Sequence, residues 1–196
     1  MRSLKRAFNI NDNLYTPLCL VKILDSYIPK HSNSFPIYKR TKILCPFDDK
    51  KSEYVKYFIE RGFIVEFGDL STGSDFFKRD KPDVDFIISN PPFSQKLKVF
   101  KKLFEWRIPF AMLMNMMAIN YQEIGNLFAN TCPGVQFIIP DKKVSFNGNT
   151  SSFCSGYVTW KINAQTEFVH LENNNSGKFF VPAENYADMH DCLDRR

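Results

Sequence analysis

Histidine is nearly absent, and cysteine never comes in pairs. Three scattered histidines and five cysteines (Cys19, Cys45, Cys132, Cys154, Cys192), with neither CxxC spacing nor an even count, supply no metal-ligand cluster and no disulfide framework. Reduced thiols, a cytoplasmic setting and no bound metal are the expectation. No apolar run reaches membrane-spanning length, and the basic start MRSLKRAFNI lacks the apolar core of a signal peptide. A soluble chain with no membrane partner is expected. There is also no internal repeat, which sets solenoids and arrays aside.

What is present suits one globular module. The 196 residues are 44% hydrophobic and 15% aromatic, enough to bury a full core but with little room for a second domain. Net charge is +5 and the pI is near 8.9, a modest excess that fits a polyanionic partner. Its distribution is uneven: Lys96, Lys98, Lys101, Lys102 and Arg107 fall in one short segment with only Glu105 against them, and Arg2, Lys5 and Arg6 stand at the start.

Strand-like and helix-like stretches alternate along the chain. Thr16-Pro17 opens a helix striped by Leu20, Val21, Leu24, Tyr27 and Ile28, and residues 29–40 read as a loop. TKILCPF is a short buried strand. Ser52 caps a helix that should face the core with Val55, Phe58 and Ile59 and stop at Gly62, where a left-handed residue is wanted. FIVEFGD and VDFIIS are strands, and Leu97, Phe100 and Phe104 mark the next helix. PFAMLMNM is a strand, AINYQEIGNLFAN a helix and VQFIIP a strand, while KKVSFNGNTSSFCSGYVTWKI predicts a hairpin turning at Asn147-Gly148. This order implies an α/β fold with a doubly wound, mostly parallel sheet and an antiparallel C-terminal hairpin.

The chemistry concentrates at the end of the strand VDFIIS. It stops at Asn90-Pro91-Pro92-Phe93, where two prolines remove two backbone donors and force the chain out of the sheet in a stiff turn. The Asn90 side-chain oxygen and the Pro91 carbonyl are two acceptors held by that turn, and Phe93 offers a stacking face. The set fits a planar substrate bearing an exocyclic amino group. Hydrogen bonds accepted from both amino protons would draw the nitrogen lone pair toward an electrophile without a charged base nearby.

Ser89-Asn90-Pro91-Pro92-Phe93 resembles the catalytic (D/N/S)PP(Y/F) motif of amino methyltransferases, above all adenine-N6 DNA methyltransferases that use S-adenosylmethionine. Other segments resemble that family in the same order. LYTPLCLVKIL is similar to its N-terminal motif, which implies cofactor contacts from Tyr15, Thr16 and Pro17. ILCPFDDKKSE occupies the slot of its cofactor loop, through Cys45, Pro46, Phe47 and Asp48. Cys45 stands there in place of an acid and the usual glycines are missing, so the resemblance shifts the carboxylate for the methionine ammonium to Asp48. GSDFF resembles a further motif in which Asp75 and the Phe76 region hold the cofactor adenine, and Asp69 stands where a ribose ligand is expected. VSFNGNTSSF resembles a late motif whose aromatics, here Phe146 and Phe153, pack on the extruded base. The likeness covers roughly residues 14–160 and extends to small phage-encoded members related to restriction-modification enzymes, which would place the chain in a host cytoplasm.

The resemblance implies a Rossmann-like catalytic domain over residues 1–162 and leaves 163–196 as a C-terminal tail: either this tail is a minimal target-recognition element, a second copy helps, or sequence discrimination is weak. It implies methyl transfer from S-adenosylmethionine to N6 of a flipped adenine in DNA, by a monomer or homodimer. Phe93 would stack on the base, with Lys96, Lys98, Lys101 and Lys102 on the phosphates. Methylation of RNA adenine or of a protein glutamine would use the same acceptors. A catalytically silent relative that binds nucleic acid or protein would retain the fold without the chemistry.

Overall fold

The computed structural model describes residues 15–30, 40–131, 134–146 and 154–171. Seven strands form one sheet: β1 (Lys42–Cys45), β2 (Ile64–Phe67), β3 (Phe86–Ser89), β4 (Phe110–Asn115), β5 (Val135–Pro140), β6 (Ser155–Trp160) and β7 (Glu167–Val169). Their spatial order is β2-β1-β3-β4-β6-β5-β7. All run in the same direction except β6, which pairs antiparallel with both β4 and β5. Among the described residues four α-helices, α1 (Leu18–Ile23), α2 (Glu53–Glu60), α3 (Lys96–Trp106) and α4 (Gln122–Thr131), cover the two faces. This is the expected Rossmann-like α/β fold.

Period-2 alternation along the strands sorts side chains between two cores. Ile43, Cys45, Ile88, Ala111, Leu113, Ile138 and Tyr157 point to the α1–α2 side, where they meet Leu20, Ile23, Tyr54 and Phe58. Leu44, Ile87, Phe110, Met112, Val158 and Trp160 point to the α3–α4 side, against Phe100, Leu103, Phe104 and Leu127. Both faces are buried, which is why the central strands read as apolar runs rather than as alternation with polar residues.

Local signals hold at α2: Ser52 Oγ accepts from the Tyr54 amide at 3.2 Å, and Gly62 follows the helix at φ 90°. Two expectations are corrected. Ile59 is 52% exposed, and Tyr54 and Tyr57 are buried in its stead, because the helix turns its tyrosine edge to the sheet. Residues 142–146 form no strand. β5 itself is the antiparallel partner of β6, and Val144 and Phe146 pack onto the α1–α2 core from an irregular segment. The Asn147-Gly148 turn lies outside the described residues. Residues 167–169, in the segment set apart as a tail, add β7 to the sheet beside β5. Among the described residues no helix is long and apolar enough to cross a membrane.

Candidate functional site

From β1 the chain passes to β2 on one side and then crosses back to β3 on the other, so that β1 pairs with both. At such a reversal the loops beyond the strands' C-terminal ends diverge and leave a crevice. The loops after β1 (CPFD) and β3 (NPPF) flank it, and the loop after β2 and the chain entering α1 border it.

A buried carboxylate joins these loops. Asp48 is 9% exposed; one of its oxygens accepts from Ser52 Oγ at 2.6 Å, and the other accepts from Ser89 Oγ. The N-cap of α2, the loop after β1 and the end of β3 are therefore tied through one side chain. Burial raises the Asp48 pKa, the two serine bonds oppose that rise, and repulsion from Asp49 and Asp69 adds to it, leaving the group at about 6. Cys45 is fully buried and its thiol is pushed well up, by burial first and then by Asp48. The position that resembles an acid slot thus holds a neutral thiol, and the charge lies three residues on.

The missing glycines cost this loop no backbone strain. The non-glycine residues with positive φ are Arg107 and Lys161 among those described, so residues 46–52 turn without any left-handed position. Outside the loop, Tyr15 donates to Asp49 at 2.8 Å, which brings the N-terminal motif onto the loop after β1. Thr16 is buried beside Tyr54, yet its hydroxyl makes no hydrogen bond of good geometry among the described residues.

Beyond β2, Gly68 is required: a Cβ there would lie 2.8 Å from that of Ser74. The loop folds back tightly and sets Asp69 and Asp75 as caps of two 3₁₀ turns. Asp69 accepts from the Thr72 amide at 3.0 Å and Asp75 from the Phe77 amide at 3.0 Å. Phe76 is buried against Phe47, ring centroids 4.8 Å apart, joining the loops after β1 and β2 with an aromatic floor.

At the end of β3, Asn90 Oδ1 is buried and has no hydrogen-bond partner among the described residues. Pro91 beside it is buried and Phe93 is 40% exposed. A buried amide oxygen without a donor is costly unless a ligand supplies one. Asp48 has lone pairs left after its two serines, and the Thr16 hydroxyl on the other bank has an acceptor lone pair to offer. Chemically these acceptors fit a ligand carrying ammonium and amino groups.

The expected cations separate. Lys98 and Lys101 are exposed on α3. Lys96 lies with its ammonium 3.9 Å over the Tyr121 ring. Lys102 is turned inward, donating to the Phe77 carbonyl at 2.9 Å and lying 4.9 Å over Trp106. Phe146 packs on the core, and Phe153 lies outside the described residues. Ser89 as partner of Asp48, Asp49 as partner of Tyr15, and Tyr121 were not marked by sequence, because each is defined by a contact far along the chain; Ser52, marked only as a helix cap, meets Asp48 four residues away.

No protein-family model and no curated protein matches the chain. Among solved structures it is similar to a modification subunit assigned to a type I restriction enzyme from Vibrio vulnificus YJ016, with TM-score 0.51 and 12% identity over 92% of this chain and 52% of that one. At that identity the likeness is one of fold, and the chain spans about half of the neighbour's length.

Proposed function

We propose that the chain is an S-adenosylmethionine-dependent methyltransferase that modifies N6 of an adenine flipped out of DNA. The observation that carries the reading is the buried, unpartnered Asn90 Oδ1 beside the Pro91 carbonyl at the sheet's switch point. Two rigid acceptors there match the two protons of an exocyclic amino group. Phe93, half exposed at the same turn, gives the base ring a face to stack on. The fold shared with a restriction-modification subunit supports the class of reaction.

S-adenosylmethionine supplies, when bound, a sulfonium-activated methyl group. Asp48 would hold its ammonium end, Thr16 and the Tyr15–Asp49 lip would border it, and Asp69, Asp75 and Phe76 would receive the nucleoside portion. Asn90 and Pro91 would orient the amino nitrogen by accepting hydrogen bonds from its two N–H groups, so its lone pair is drawn out of conjugation with the ring, and the proton that the methylated nitrogen sheds leaves to solvent. The acceleration comes from preorganised dipoles and alignment.

The test is incubation with methyl-labelled S-adenosylmethionine and unmethylated DNA, with RNA in parallel, followed by identification of the labelled nucleoside. N6-methyldeoxyadenosine from DNA is expected. Asn90→Ala should lower the rate by roughly 10²-fold or more while the protein stays folded. A folded Asn90→Ala variant with normal turnover would sink the assignment of roles, and label only in RNA would move the substrate.

A further inference from the structure

The mouth of the site carries an aromatic that the proposed methyl transfer leaves unused. Tyr121 lies in the turn between the 3₁₀ segment Met116–Ile119 and α4. It is 58% exposed, and the Lys96 ammonium lies 3.9 Å from its ring centroid. Lys96 opens α3 one turn after the exposed Phe93, and Met117, also exposed, precedes Tyr121 by four residues. All four leave the C-terminal ends of β3 and β4, which are neighbours in the sheet.

A solvated ion–ring pair would account for Lys96 and Tyr121 alone. It leaves unexplained why two more large apolar side chains stand exposed at the same end of the sheet. Flat π-faces interleaved with ammonium groups are what an unpaired nucleic-acid strand requires: bases stack on the rings and phosphates meet the cations. Charge on α3 fits: Lys98 and Lys101 are exposed along it and its acid, Glu105, lies near its far end, whereas α4 brings no cation and carries Glu123 two residues from Tyr121.

We propose that Tyr121, backed by Lys96, is a second stacking station, which takes a nucleotide next to the one captured at Asn90 and Phe93. The inference rests on the proposed function and deepens it. A nucleotide can reach each ring only once the strand is unstacked, so the chain grips an opened strand rather than an intact duplex.

The experiment measures binding of a short fluorescein-labelled DNA single strand in the absence of S-adenosylmethionine, so it needs no turnover. Wild type, Tyr121→Ala and Tyr121→Phe are compared, and each is also titrated with a strand in which the bases are replaced by abasic positions. Tyr121→Ala should weaken binding roughly 10-fold, Tyr121→Phe should bind like wild type, and the loss should vanish on the abasic strand. Equal affinities for wild type and Tyr121→Ala, a loss that persists on the abasic strand, or no binding by wild type would each overturn the station. Ring-dependent binding without methyl transfer leaves the station standing and removes the methyltransferase reading. Normal methylation with a silent Tyr121→Ala removes the station alone.

Discussion

Folding lifts the Asp48 carboxyl from its ordinary range to about 6, and the sign of the consequence follows from which form burial prefers. The protonated form fits the interior better, so Asp48 contributes its full stability below about pH 4 and loses it as pH rises through 6. Two pKa units correspond to on the order of 3 kcal/mol between those limits. Asp48→Asn, neutral throughout and still able to meet both serines, should flatten the pH dependence of urea unfolding between pH 4 and pH 7. It should be at least as stable as wild type at pH 7. An Asn variant with the wild-type pH profile would show that another group titrates there. The functional cost runs the other way, since an ammonium is held by the ionised carboxylate: S-adenosylmethionine affinity, measured by calorimetry, should rise as pH passes upward through 6 and be weakened in Asp48→Asn. Sequence pointed to Asp48 by its slot in the loop. It did not reveal the tie to Ser89, 41 residues away, because nothing local to either residue encodes the crossing of two loops at a switch point.

Three elements on the α1–α2 face meet at a pair of phenols. Tyr157 of β6 donates to the Leu20 carbonyl of α1 at 3.0 Å, and its oxygen lies 2.9 Å from that of Tyr54 on α2. The Leu20 carbonyl only accepts, so Tyr157 spends its proton there and Tyr54 donates to Tyr157. Tyr157→Phe strands both a buried carbonyl and a buried hydroxyl, and should cost about 1–3 kcal/mol in chemical denaturation. Adding Tyr54→Phe removes one orphan, so the double variant should lose less than the sum of the single variants. Strict additivity would mean that the two phenols do not act as a pair. Because α1 follows directly from Thr16, loosening it should also weaken the Tyr15–Asp49 lip. The elements themselves were legible: strands of four to six residues announced themselves as apolar runs between turn signals. The hairpin was misplaced because Val144 and Phe146 alternate like a strand while packing as a loop. β7 escaped notice because three residues, Glu167 to Val169, carry too short a pattern to show a period.

At the scale of the whole molecule, the +5 net charge matters through where its free cations stand. Sequence grouped Lys96, Lys98, Lys101 and Lys102 as one basic run, but the fold divides them: Lys98 and Lys101 face solvent beside the NPPF turn, Lys96 lies over the Tyr121 ring, and Lys102 is spent on the Phe77 carbonyl and the Trp106 ring. With DNA as the proposed partner, replacing Lys98 and Lys101 with glutamine should weaken binding to every sequence alike, since phosphates carry no base identity. The plot of log affinity against log salt should flatten by about two units, one for each phosphate that no longer meets an ammonium. Lys102→Gln should leave that slope unchanged and lower thermal stability instead, because a shorter, neutral amide loses the ammonium over the Trp106 ring and falls short of the Phe77 carbonyl. Titrations of labelled DNA at several salt concentrations, with melting curves of the same proteins, separate the two behaviours. An unchanged slope for the Lys98/Lys101 variant would move the nucleic-acid surface off α3, and a flattened slope for Lys102→Gln would mean that its internal hydrogen bond gives way when the polyanion arrives.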